Sequence, residues 1–164
     1  MDKQSFYKMR GVYLLIIEKS KSSNIKVGSL GLISFPPGIY IYVGSAMGIS
    51  SSTNIENRLK RHLRKEKNIH WHIDYLLNDN STSIVDAIYA QSETNLECEL
   101  FQSLRSQSKS FIINCKNFGA SDCVKNCTSH LLYVNDLELN EIYQHVENAF
   151  KSLNLKHEKF IHPS

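Results

Sequence analysis

The chain has 164 residues, a formal net charge of +3 at pH 7 and a sequence isoelectric point near 8.6. Its 41% hydrophobic and 21% charged residues are typical of a globular protein and exclude a chain that is disordered throughout. The length predicts a single domain over residues 1–164, and the mild positive charge permits nucleic-acid binding without requiring it.

The apolar segment from Val12 to Ile17 is too short to span a bilayer or to form the core of a signal peptide. The chain also has four cysteines with no secretory context, which favours reduced thiols or metal ligands over disulfides. We therefore expect no membrane association and a cytoplasmic protein.

The hydrophobic periodicity predicts alternating strands and helices. In chain order these are a strand over 11–19, short strands over 25–27 and 30–35, a strand over 38–43, a helix over 54–67, a helix beginning within 70–77, a strand over 83–90, a helix over 95–106, strands over 111–115 and 130–134, and a helix over 136–153. Asn54, Thr94 and Asp136 are the expected helix N-caps, because short polar side chains accept hydrogen bonds from free backbone N–H groups. Residues 154–164 are expected to form a flexible basic tail.

Basic residues concentrate on the helix predicted after residue 54. Arg58, Lys60, Arg61, Arg64, Lys65 and Lys67 fall within ten positions. This local density is suited to contacting a phosphate backbone, so DNA or RNA is the expected partner.

Two Gly-aromatic motifs lie on the predicted strands: Gly11-Val12-Tyr13 and Tyr42-Val43-Gly44. With Arg58 on the next helix and a later acidic residue, Glu97, this order resembles the GIY-YIG nuclease family. Gly38-Ile39-Tyr40 spells the first motif literally, but it shares a strand with Tyr42 and cannot supply a tyrosine from a neighbouring strand.

The resemblance implies the catalytic set Tyr13, Tyr42, Arg58, His62 and Glu97. Tyr13 would act as general base or water-orienting group with Tyr42 as its hydrogen-bonded partner, and Arg58 would stabilise the transition state. His62 would assist Tyr13 or the phosphate, and Glu97 would bind Mg²⁺ or Mn²⁺.

The residue types suit this chemistry. The planar fork of Arg58 can hold two phosphate oxygens, and His62 follows one helical turn later on the same face. A phenol such as Tyr13 can transfer a proton if a nearby cation or metal lowers its pKa. The residues expected to contact nucleic acid are Gly44, Ser45, Lys60, Arg61, Arg64, Lys65, Trp71 and His72.

A closer resemblance covers residues 11–134. The segments Tyr40 to Ala46, Arg61-His62, His70 to Leu76, Glu97-Cys98, Phe118 to Cys123 and Ser129 to Leu131 are similar to the DUF123 branch of the GIY-YIG superfamily. Together the elements and the resemblance imply an α+β fold. It would have a small central, mostly antiparallel sheet flanked by helices, with extra β elements and a C-terminal helix over 136–153.

A second set of residues has metal-ligating chemistry. Cys123, Cys127 and His130 form a Cys-x3-Cys-x2-His cluster, and thiolate and imidazole ligands suit tetrahedral zinc. The fourth ligand could be Cys98, Cys115, His70 or His72. The spacing is not a standard zinc-knuckle pattern, so buried free thiols remain the alternative.

Three functions are therefore open. The first is a metal-dependent DNA endonuclease that hydrolyses phosphodiester bonds, acting in repair or recombination. The second is a non-catalytic nucleic-acid-binding module on the same scaffold. The third is a zinc-stabilised interaction protein. The sequence does not specify the oligomeric state.

Overall fold

A computed structural model describes residues 9–48 and 53–161. It contains strands β1 (Gly11–Lys19), β2 (Ser23–Lys26), β3 (Leu32–Phe35), β4 (Gly38–Ala46), β5 (Thr82–Gln91), β6 (Phe111–Ile112), β7 (Leu131–Val134) and β8 (His157–Lys159), and helices α1 (Ile55–Leu63), α2 (His72–Leu77), α3 (Glu97–Arg105) and α4 (Leu139–Ser152). A 3-10 helix, Gly28–Leu30, separates β2 from β3.

The strands form a six-stranded antiparallel sheet in the order β6-β7-β4-β1-β5-β8 and a separate two-stranded sheet, β2-β3. Together with four helices, this is the predicted α+β fold with its extra β elements and C-terminal helix. The β2-β3 hairpin occupies the long segment between the two tyrosine motifs.

Helices cover both faces of the large sheet. One face packs against α1, α2 and the hairpin through apolar residues such as Leu15, Leu59 and Leu76. The other packs against α3 and α4 through residues such as Leu14, Leu104 and Phe150. Strand β1 is buried on both faces, which explains why its apolar residues run continuously instead of alternating.

The bounds of α1, α3 and α4 differ from the sequence predictions. Helix α1 is capped by Asn54 as expected but ends at Leu63, because Arg64 has an extended backbone with φ −72° and ψ 132°. The Lys67 ammonium then donates to the carbonyls of His62 and Arg64 at 2.7 and 2.9 Å. Thr94 is not the cap of α3, since its backbone forms a turn with Ser92, and the helix begins at Glu97.

The cap predicted for α4 is also wrong. Asp136 has a φ of 55°, whereas an N-cap residue needs an extended backbone. Glu138 has that backbone, and its N–H donates to the Glu141 carboxylate at 2.7 Å in a capping box.

The C-terminal segment corrects the prediction of a flexible tail. His157–Lys159 form β8, which pairs antiparallel with β5 at the edge of the sheet. The backbone hydrogen bonds of this edge fix the segment, although it has no apolar periodicity that would identify a strand. Residues 162–164 of the predicted tail lie outside the described residues. Within the described part of the chain, no helix has the length and apolar character needed to cross a membrane.

Candidate active site

The two motif tyrosines lie on the same face of neighbouring strands. Tyr13 on β1 pairs directly with Gly44 on β4, and Tyr42 pairs with Leu15, so the tyrosines are diagonal neighbours. A Cβ at Gly44 would lie 2.5 Å from the Tyr13 ring and hydroxyl. Gly44 is buried, and because glycine has no side chain, the Tyr13 ring can occupy the space where a Cβ would be.

The Tyr13 hydroxyl forms a hydrogen bond with Nε2 of His62 at 2.7 Å. Both residues are 2% exposed, and burial lowers the pKa of His62 to about 3, so this imidazole is neutral. Burial also raises the pKa of Tyr13 far above its usual value, although the adjacent Arg58 guanidinium offsets part of the increase. The Arg58 guanidinium thus lowers the Tyr13 pKa as expected, but burial outweighs it, and Tyr13 is a neutral phenol in the metal-free protein.

Ser45 connects Arg58 of α1 with Glu97 of α3. The Arg58 Nη1 group donates to the Ser45 carbonyl at 3.1 Å, and the Ser45 hydroxyl donates to Glu97 Oε2 at 3.1 Å. Nε of Arg58 is buried and has no acceptor among the described residues. The predicted Arg58 and Glu97 are thus joined through a residue that the sequence suggested only as a nucleic-acid contact.

A cavity of about 450 Å³ brings most of the predicted site together. Its lining residues are Tyr13, Tyr42, Ser45, Arg58, Trp71, Asn95, Glu97, Cys98, Gly119, Asp122, Cys123, Val124, Lys125 and His130. Tyr13 lines the cavity, whereas its hydrogen-bonded partner His62 does not. Asn95, Val124 and Lys125 were not predicted; their nearness to Glu97 and the cysteines in the chain was the only available signal.

Three cysteines and a histidine cluster at one wall of this cavity. The ligand atoms of Cys98, Cys123, Cys127 and His130 all lie within 4.8 Å of one another. The sulfurs of Cys98 and Cys123 are 3.2 Å apart, and Cys98 Sγ is 3.6 Å from His130 Nε2. The cluster could hold a metal ion, and its ligand set fits zinc. Cys98 completes the predicted trio.

His130 also faces Glu97. Its Nδ1 is 3.1 Å from Glu97 Oε1, while its Nε2 faces the cysteines. Burial alone would lower the pKa of His130, but the Glu97 carboxylate outweighs that effect and, with Cys127, raises the pKa to about 9 in the metal-free protein. A small rotation is needed to align the Nδ1–H with Oε1, since the present direction does not give a hydrogen bond.

Trp71 is held between the basic helix and the cavity. The guanidinium carbons of Arg58 and Arg61 lie 4.5 and 4.4 Å from the Trp71 ring centroid. Arg61 donates two 2.8 Å hydrogen bonds to the fully buried Asp74, which also accepts from the backbone N–H of Trp71. Arg61 therefore fastens α1 to α2, and Asp74 does not line the cavity.

The remaining predicted nucleic-acid residues lie elsewhere. Arg64 and Lys65 line a broad depression of about 880 Å³ with Arg61, Lys67 and His70, and, of the described residues, Glu66 is its one acidic lining residue. Lys60 pairs with Glu56 at 2.7 Å along the helix. Nδ1 of His72 accepts from the Gly119 backbone at 3.0 Å, and burial lowers the pKa of this histidine. We call the five basic residues Arg61, Arg64, Lys65, Lys67 and His70 the basic depression.

Comparison with known proteins identifies a family without assigning an activity. No curated protein and no solved structure matches the chain. A family model described as "Domain of unknown function DUF123" matches residues 12–155, a segment that contains every residue lining the cavity. The chain therefore belongs to the DUF123 family.

Proposed function

We propose that the protein is a metal-dependent endonuclease that hydrolyses phosphodiester bonds in DNA, acting in repair or recombination. The observation that carries the proposal is the cavity in which Tyr13, Tyr42, Arg58 and Glu97 meet although they are distant in the sequence. The order of these residues also resembles that of the GIY-YIG nucleases.

Arg58 is the proposed phosphate ligand. Its guanidinium has one N–H on Ser45 and a buried Nε without an acceptor, so a phosphate oxygen would satisfy an otherwise unpaired donor. The positive charge would also stabilise the negative charge that develops on the phosphoryl oxygens during attack.

Tyr13 and His62 provide a route for the proton of the attacking water. As the water oxygen bonds to phosphorus and the phosphorus–oxygen ester bond breaks, the water proton passes to the Tyr13 oxygen while the Tyr13 proton passes to His62 Nε2. The leaving oxygen takes its proton from solvent. His62 is neutral in the free protein, and an anionic phosphate nearby would raise its pKa and favour the protonated form.

Glu97 is the proposed ligand for Mg²⁺ or Mn²⁺, which prefer oxygen donors. When bound, this cation would neutralise charge on the scissile phosphate. Zinc would occupy the separate cluster of three cysteines and His130, where four protein ligands leave no open coordination position. The two metals would therefore have different roles.

The basic depression is the proposed path of the nucleic-acid backbone away from the cavity. Arg61 belongs to the depression and also stacks on Trp71, which lines the cavity, so the two regions adjoin. The exposed cations Arg64 and Lys65 would attract phosphates without reading base sequence.

The test is cleavage of end-labelled nicked, branched and single-stranded DNA by the purified protein in Mg²⁺ or Mn²⁺. Tyr13→Phe removes only the hydroxyl that bonds to His62, and Glu97→Ala removes the proposed metal ligand. We expect both variants to lose cleavage by 100-fold or more, about 3 kcal/mol or more of transition-state stabilisation. Equal cleavage by the wild type and both variants would contradict the proposal.

A non-catalytic nucleic-acid-binding module is the second candidate. The near-complete burial of Tyr13 favours it, because a substrate would reach little of this side chain. This candidate predicts salt-sensitive binding without cleavage, weakened by Arg64→Ala but unaffected by Glu97→Ala. A zinc-stabilised interaction protein, in contrast, predicts bound zinc with neither cleavage nor nucleic-acid binding.

A further inference from the structure

His130 lies between the cysteine cluster and the carboxylate that the proposed nuclease reaction uses. One ring nitrogen, Nε2, is 3.6 Å from Cys98 Sγ, and the other, Nδ1, is 3.1 Å from Glu97 Oε1. His130 is 2% exposed, so both nitrogens depend on protein or metal partners rather than on solvent.

The spacing of the four ligand atoms fits a tetrahedral zinc ion. Bond lengths of about 2.3 Å to sulfur and 2.0–2.1 Å to nitrogen place tetrahedral ligands about 3.6–3.8 Å apart. The sulfurs of Cys98 and Cys123 are 3.2 Å apart, Cys98 Sγ and His130 Nε2 are 3.6 Å apart, and no pair of ligand atoms exceeds 4.8 Å. Small adjustments of the side chains, which come from α3 and the loop before β7, would therefore complete the site.

Zinc would determine which nitrogen of His130 carries the proton. A zinc ion bound to Nε2 uses that lone pair, so the single proton of the neutral ring must be on Nδ1. Glu97 Oε1 is the acceptor that faces Nδ1. Carboxylates in this relation to a metal-bound histidine orient the ring and strengthen metal binding.

The second carboxylate oxygen of Glu97, Oε2, also has a partner. Oε2 accepts from the Ser45 hydroxyl, and the Ser45 carbonyl accepts from Arg58. The contacts thus run from the cysteine cluster through His130, Glu97 and Ser45 to Arg58. The two oxygens of the Glu97 carboxylate therefore face different partners, His130 and Ser45.

We propose that zinc bound by Cys98, Cys123, Cys127 and His130 is a positioning centre: it holds Glu97 through the His130 ring. This inference gives Glu97 two functions, as an oxygen donor to the catalytic cation and as the carboxylate partner of a zinc-bound histidine. The first function rests on the proposed nuclease activity, whereas the second does not.

The experiment measures zinc affinity in matched variants of the full chain. Purified reduced protein is analysed for zinc, and affinity is determined by competition with a chromogenic chelator. Glu97→Gln and Glu99→Gln each remove one negative charge from the first turn of α3, but Glu99 pairs with Lys125 and has no contact with His130. We expect one zinc per chain, a 10- to 100-fold lower affinity in Glu97→Gln, and a change below about threefold in Glu99→Gln.

Cobalt substitution gives a readout that does not depend on activity. Co²⁺ in a site with three thiolates and one imidazole should show intense visible bands of tetrahedral geometry, and Glu97→Gln should shift these bands while Glu99→Gln should not. Cys127→Ser should abolish them. A shift of the bands without loss of bound metal would show that Glu97 acts through the histidine.

Several outcomes would overturn the inference. These are the absence of zinc, a mass decrease showing a Cys98–Cys123 disulfide instead of bound metal, or equal effects of the two glutamine substitutions. The outcomes also separate this inference from the nuclease proposal. Zinc binding that weakens only in Glu97→Gln supports the positioning centre even if no DNA is cut. DNA cleavage by the wild type, together with a zinc affinity that Glu97→Gln leaves unchanged, supports the nuclease alone.

Discussion

The Tyr13 ring lies directly over Gly44, its partner on the neighbouring strand. Two of the Tyr13 ring and hydroxyl atoms would lie only 2.5 Å from a Cβ at position 44. The second glycine motif therefore sets the position of the first tyrosine, and through it the 2.7 Å hydrogen bond to His62.

Gly44→Ala should destabilise the protein by about 1–3 kcal/mol, because a methyl group would force the buried Tyr13 ring out of place. Urea unfolding would measure the change. In a Tyr13→Ala background the ring is gone, so the same glycine substitution should cost much less. Additive effects of the two substitutions would contradict this explanation.

His62 should make the protein less stable as the pH falls. Burial, supported by the nearby Lys67 charge, lowers the pKa of His62 to about 3, below the 6.5 of an unperturbed histidine. Between these values the unfolded chain takes up a proton that the native protein does not. Stability from this group is therefore complete above pH 6.5 and declines toward pH 3, with a slope of at most about 1.4 kcal/mol per pH unit.

Urea unfolding of the wild type and His62→Gln at several pH values between 4.5 and 7 would check this slope. The variant should show a weaker pH dependence than the wild type. His70→Gln, at an exposed position, should retain the wild-type dependence. If His62→Gln and the wild type have the same slope, His62 does not resist protonation in the native state.

Arg61→Ala should cost about 3 kcal/mol of stability. The substitution leaves the fully buried Asp74 carboxylate without its two charge-assisted hydrogen bonds, and only backbone N–H groups remain as partners. Arg64→Ala removes the same residue type from an exposed position nearby and should change stability by less than about 0.5 kcal/mol. Comparable losses in the two variants would show that the Arg61–Asp74 contact is not the cause.

The Arg61–Asp74 contact also has a pH signature. Hydrogen bonds from Arg61 and the backbone outweigh burial and hold the Asp74 pKa below its usual value. Its stabilising effect is therefore complete above the unfolded pKa of about 3.9 and is lost as the pH falls through the lower native value.

Arg64→Ala and Lys65→Ala should weaken DNA binding and reduce its salt dependence. Each substitution removes a cation from the basic depression and should lower the slope of log affinity against log salt by about 1. Fluorescence anisotropy at several salt concentrations would measure this slope. Lys151→Ala removes the same charge from α4, on the opposite face of the sheet, and should leave the slope unchanged.

Arg58→Lys should reduce cleavage by about 100-fold while leaving DNA affinity nearly unchanged. Lysine keeps the charge but lacks the planar fork that can contact Ser45 and a phosphate oxygen together. Single-turnover cleavage rates would test this expectation. Arg105→Lys, at an exposed position at the end of α3, is the matched control. Cleavage by Arg58→Lys at the wild-type rate would exclude a role for the fork.

Local patterns were enough to predict the main strands. Gly11–Lys19 matches its predicted bounds because an uninterrupted apolar run with β-branched residues leaves little alternative to a buried strand. The cap at Asn54 follows from its own side chain, which accepts from the Asn57 N–H at 2.9 Å. Thr94 and Asp136 also have short polar side chains, but the Thr94 backbone is hydrogen-bonded to Ser92 and Asp136 has a φ of 55°, so neither caps a helix.

The site depends on distances that a sequence does not contain. The Tyr13–His62 bond joins residues 49 positions apart, and only the packing of α1 on β1 brings them together. The sequence left four candidates for the fourth ligand beside Cys123, Cys127 and His130. The structure identifies Cys98, because α3 lies beside the loop that carries Cys123. The ion pair between Arg61 and Asp74 could not be predicted either, because a series of basic residues does not show which of them has an acidic partner.

The pairing of β8 with β5 determines where the C-terminus of a minimal fragment of this protein should lie. The family match stops at residue 155, but His157–Lys159 pair with β5, and the Phe160 N–H donates to the Ala87 carbonyl at 2.8 Å. A fragment trimmed to the matched residues would leave one side of β5 open, and such an edge invites self-association. Fragments intended to stay monomeric should therefore extend at least through Phe160.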